Sequence, residues 1–88
     1  MLSFHNNFTY LLKLRGFNYT SFARYLLEVG EQGTEKENVD KLRRKLNRLG
    51  SGDVEVTIKD VRMLSTHLKA LPGLLAFASH ERFVGIYK

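Results

Sequence analysis

The chain has 88 residues, 43% of them apolar and 26% charged, which suffices for one modest core and not for two. That excludes a multidomain enzyme and separates the sequence from disordered tails, so a single domain over residues 1–88 is expected. Fourteen Lys and Arg against nine Asp and Glu leave a net charge of +5, which favours an anionic partner, and the absence of cysteine rules out disulfides and thiolate metal sites.

No apolar run approaches the ~20 residues that a bilayer crossing needs. The start Met1-Leu2-Ser3-Phe4-His5 lacks the charged and apolar regions of a leader, so a cytoplasmic protein without a membrane role is expected.

Phe8, Leu11, Leu12 and Leu14 are spaced for one face of a short helix over about 7–15, with Asn7 as its N-cap and Gly16 as its stop. Asn18 caps a second helix over about 19–29, whose inward residues are Phe22, Ala23, Leu26 and Leu27. Thr34-Glu35-Lys36-Glu37 has the form of a capping box, with Asn38 as an alternative cap, and opens a third helix over about 35–49. Val39, Leu42, Leu46 and Leu49 form its apolar stripe. Asp40, Lys41, Arg44, Asn47 and Arg48 fall on the far side, and Arg43 and Lys45 flank the stripe.

Gly50-Ser51-Gly52-Asp53 ends this helix, and Val54-Glu55-Val56 alternates like a short edge strand. Thr57, with Asp60 three residues on, caps a fourth helix over about 58–71 that buries Val61, Leu64, Leu68 and Leu71. Pro72 suits the first turn of one further short helix over about 73–79 or a simple turn. The β-branched and aromatic stretch 82–87 reads as a terminal strand, a natural partner for 54–56 and a route to a homodimer through edge pairing. The expected fold is thus mainly α: a compact domain of four to five helices with a helix-turn-helix and a short C-terminal β element.

The charge is concentrated. Residues 34–50 hold six basic and three acidic side chains, +3 of the total +5, and Lys41 to Arg48 contains five cations and no acid. Five cations in eight residues repel one another, and with no acid at i+4 to relieve them a partner is expected to supply the counter-charge. Duplex DNA is the natural candidate, because a helix fits its major groove, Arg forks onto guanine and Lys neutralises phosphate.

Asn18-Tyr19-Thr20-Ser21-Phe22-Ala23-Arg24-Tyr25-Leu26 resembles the entry to the second helix of Xre/Cro-type helix-turn-helix repressors. Leu42-Arg43-Arg44-Lys45-Leu46-Asn47-Arg48 is similar to the end of their recognition helix, and Thr57-Ile58-Lys59-Asp60-Val61 through Leu68 to the helix packed behind the motif. The resemblance spans about residues 8–71. It implies a repressor-like, sequence-specific DNA-binding regulator in which Asn38, Lys41 and Arg44 reach base edges and Lys45 and Arg48 meet phosphates. It also implies that Tyr19, Thr20 and Ser21 dock on the DNA backbone. The sequence departs from the family's tight turn between helices 2 and 3, since Glu31 to Asn38 intervene and bring Glu31, Glu35 and Glu37 close to an approaching phosphate.

The competing class is a protein-binding module or inhibitor, of the kind carried by mobile elements, which lays the same basic helix on an acidic protein surface. Phe8, Phe17, Phe22 and Phe77 are read as core, whereas Tyr10, Tyr19, Tyr25 and Tyr87 keep a polar tip at a boundary. His5, His67 and His80 show no metal-ligand spacing, and His67 is placed on the solvated side of the fourth helix. Ser79-His80-Glu81 are neighbours in sequence and so do not face one another as a triad must. The glycines form no phosphate-cradling loop, so neither catalysis nor a cofactor is expected.

Overall fold

The computed structural model describes residues 3–31 and 38–88. These form α1 (Phe4–Leu14), α2 (Tyr19–Glu28), α3 (Val39–Ser51), α4 (Ile58–Leu68), α5 (Pro72–Phe77) and α6 (His80–Ile86). The mainly helical class agrees with the sequence reading, with six helices among the described residues rather than four or five.

Helix α1 begins a turn earlier than its expected cap. Phe4 and Phe8, four residues apart on one face, stack with ring centroids 5.9 Å apart and are both buried, which draws the first turn into the helix. Asn7 is therefore not a cap. It is wholly buried within α1, where its Nδ2 donates to the Leu75 carbonyl at 3.3 Å and the Ala78 carbonyl at 2.9 Å. It thereby satisfies carbonyls at the end of α5 that have no helical partner.

Asn18 caps α2 as expected, in a reciprocal pair with Ser21. Asn38 caps α3 by accepting from the Lys41 amide at 2.8 Å, while the alternative start at Thr34 lies outside the described residues. Gly50 does not end α3: the helix runs through it to Ser51 and closes at Gly52, whose φ of +82° is the left-handed value that favours glycine. The Thr57–Asp60 box opens α4.

Helix α4 stops at Leu68 rather than residue 71. Lys69 turns left-handed with φ 57°, and Arg15, the residue that closes α1, donates to the Leu68 carbonyl at 2.8 Å and the Lys69 carbonyl at 3.0 Å, replacing the hydrogen bonds that a further turn would supply. Leu71, expected in the core, is 63% exposed in consequence, and Phe77 at the end of α5 is 77% exposed instead of buried.

Neither expected strand is present among the described residues. Val54 and Val56 sit in an irregular link that bends at Val54, and both pack, half-buried, against the core. Residues 82–87 belong mostly to α6, because a helix places Phe83 and Tyr87 four residues apart on one face, where their rings meet at 4.7 Å. Ser79 caps that helix. Tyr87 accepts the Tyr10 hydroxyl on its carbonyl at 2.5 Å and the Leu71 amide on its hydroxyl at 2.8 Å. Tertiary contacts override the β propensity of the segment, and with no strand there the edge pairing expected to join two copies has no element to use.

The core gathers Phe4, Phe8, Leu11, Phe22, Leu26, Leu42, Leu46, Leu64, Leu68, Leu75 and Phe83 from all six helices. Helices α2 and α3 make the most extensive pairwise contact, and α1 touches α3, α4, α5 and α6. Among the described residues no helix is long and apolar enough to cross a membrane.

Candidate nucleic-acid interface

Burial of Leu42, Leu46 and Leu49 fixes the rotation of α3 about its axis. Lys41, Arg44, Lys45 and Arg48 are then exposed together, with Asn38 at the helix start. These five residues line one groove of about 650 Å³, completed by Leu49, Val54, Glu55 and Asp60. The link 53–57 and the first turn of α4 thus form the wall facing the basic helix.

The expected contacts at the start of α2 lie outside that groove. Ser21 is engaged in the cap with Asn18, donating to and accepting from it. Thr20 is half-buried. Tyr19 is half-buried as well, its hydroxyl set against Gly50 near the end of α3, and burial raises its pKa above the usual phenol value.

The helix supplies part of its own counter-charge. Asp40 accepts from Arg43 at 2.8 Å and from Arg44 at 2.7 Å, and hydrogen bonds from these two guanidinium groups, Arg43 first, lower its carboxyl pKa. The expectation that a partner must supply all the counter-charge is corrected: an acid three and four residues before the two arginines does the same work as one at i+4. The pattern Asp40-Lys41-Leu42-Arg43-Arg44 carries that signal in plain view. Among the described residues Lys41, Lys45 and Arg48 have no ion pair. On the facing wall, the Asp60 carboxylate accepts from the Thr57 amide at 3.2 Å and hydroxyl at 3.0 Å, which holds it at the helix start.

His67 is not solvated. Its side chain is 15% exposed, its Nε2 lies 2.5 Å from a Glu31 carboxylate oxygen and its Nδ1 lies 3.1 Å from the Tyr25 hydroxyl. With Nε2–H donating to Glu31, Nδ1 accepts from Tyr25. The row joins α2, through Tyr25, and Glu31 just beyond its end to α4, across a sequence separation that helical periodicity does not report.

His80 is likewise structural, its Nδ1 being 2.9 Å from the Asn7 oxygen. Because Asn7 donates its amide to two carbonyls, that oxygen accepts and His80 Nδ1 carries the proton. Among the described residues no group of three or more His, Asp or Glu is placed to hold a metal ion. No protein-family model, no curated protein and no solved structure matches the chain.

Proposed function

We propose that the chain is a small, cytoplasmic, sequence-specific double-stranded DNA-binding protein of repressor-like type, with α2 and α3 as its helix-turn-helix pair. The observation that carries this reading is the fixed outward display of Lys41, Lys45 and Arg48 on a helix whose leucines are buried, with no internal ion pair among the described residues to neutralise them. Cations held this way gain most from a polyanion, whose condensed counterions they release. In this reading Lys41, Arg44 and the Asn38 amide face base edges, and Lys45 and Arg48 face phosphates.

The test is titration of a labelled duplex from the region upstream of the coding sequence, and of a random duplex, at two salt concentrations. Binding through α3 predicts a logarithmic salt slope of about −0.9 for each phosphate contacted and a preference for the specific duplex. Undetectable binding at low salt overturns the proposal.

One observation favours a second reading, in which the helix lies on an acidic protein surface. Glu55 and Asp60 share the groove with the cations, so a phosphate entering it meets two carboxylates, whereas a protein partner can offer charges of both signs.

A further inference from the structure

We propose that the groove between α3 and α4 binds a small amphipathic anion, a carboxylate carried on an apolar chain. The proposal does not depend on nucleic-acid binding.

Helices α3 and α4 both pack on α1, yet they are not among the helix pairs in extensive contact with each other. Their divergence leaves a groove of about 530 Å³, within the range of about 300–1,000 Å³ that small-molecule sites occupy. Its apolar lining comes from Leu42, Leu46 and Leu49 of α3 and from Ile58 and Met63 of α4. Ile58 is 75% exposed and Met63 is half-buried, so apolar surface in the groove still faces water. The unbranched Met63 side chain can adapt to a chain laid against it.

Lys45 of α3 and Lys59 and Arg62 of α4 also line the groove, and all three are exposed. Lys59 and Arg62 are three residues apart and so share one face of α4. Among the described residues none of the three has an ion pair. The two carboxylates that border the groove are already engaged, Asp60 in the cap with Thr57 and Glu31 on His67. Positive charge is therefore left over beside apolar surface. An inorganic anion uses only the charge, and a neutral hydrocarbon only the apolar lining. A medium-chain carboxylate uses both, and Arg62 can fork onto its two oxygens.

Octanoate titrated into the whole chain and followed by amide NMR tests this. Octanol, which has the chain without the charge, and acetate, which has the charge without the chain, serve as comparisons. Saturable shifts of amide resonances in both α3 and α4 are expected for octanoate, with a Kd below about 1 mM. Octanol and acetate bind at least about tenfold more weakly. Lys59→Gln and Arg62→Gln, both at exposed sites and checked for fold by circular dichroism, each weaken octanoate about two- to tenfold. Thr66→Trp, at another exposed position lining the groove, leaves the cations in place and blocks the chain. No saturation by about 10 mM octanoate overturns the proposal, as does octanol binding as tightly as octanoate. Octanoate binding indifferent to both glutamine variants overturns it as well, and so do shifts centred on the exposed Phe77 instead of on α3 and α4.

Discussion

The Tyr19 hydroxyl occupies the space that a side chain at Gly50 would need: a methyl group there overlaps the hydroxyl and crowds Thr9 as well. Helix α3 therefore carries a glycine in its last turns so that the start of α2 can close against it. Alanine is favoured over glycine in a helix by roughly 1 kcal/mol, yet overpacking costs roughly 1–3 kcal/mol, so Gly50→Ala is expected to destabilise the protein in urea denaturation. Combining it with Tyr19→Ala recovers part of that loss, because the two changes act on one contact. Additive losses would show that the contact does not limit packing.

The raised pKa of Tyr19 gives an alkaline signature. A phenol harder to ionise in the folded than in the unfolded chain contributes stability that is full below the ordinary value of 10.0 and is lost as pH rises through the folded value. Tyr19→Phe is expected to flatten the decline in stability above that pH, measured by urea midpoints between pH 8 and about pH 11.

Asp40 restrains two of the five cations on α3. Asp40→Asn removes a negative charge from the basic face and releases Arg43 and Arg44, so duplex affinity is expected to rise roughly two- to fivefold with a steeper salt slope. Weaker binding would mean that Asp40 positions Arg44 for its contact. Because the Asp40 pKa is lowered, its contribution to stability is present above the ordinary carboxylate value near 3.8 and is lost as pH falls through the lower folded value.

Arg44 and Lys45 are neighbours with different assigned roles. Arg44→Ala is expected to cost about 1–3 kcal/mol on a specific duplex and to relax sequence preference, while Lys45→Ala weakens all duplexes alike and flattens the salt dependence. Equal losses on specific and random duplex for Arg44→Ala would remove it from base recognition.

Asn7→Ala strips a buried amide from two carbonyls and from His80. Groups left buried without partners cost roughly 1–3 kcal/mol each, so a total loss of about 2–4 kcal/mol is expected by thermal or urea unfolding. A change below about 0.5 kcal/mol would mean that solvent replaces the amide.

Local signals were the readable ones. Asn18, Thr57 and Asp60 cap within three residues of themselves, and the leucine stripe of α3 repeats within a few turns, so each is visible in a short window of sequence. The four groove residues of α3, Lys41, Arg44, Lys45 and Arg48, follow from that stripe. What escaped depends on distant partners: Arg15 truncating α4, Glu31 reaching His67, and Tyr87 bonding to Tyr10 and Leu71. The stretch 82–87 has strand-like residues, and only the burial of Phe83 with its ring against Tyr87 selects the helix. The carboxylates of Glu55 and Asp60 came into the groove the same way, through a turn whose direction no local pattern specifies.

Asn7 ties residues 68 to 73 positions apart, whereas every helix it helps to join closes its own bonds over four. Closing so long a loop is entropically slow and comes after the local turns have formed. The latch between α1 and the α5–α6 region is therefore expected to form late, so that its loss in Asn7→Ala speeds unfolding more than it slows folding.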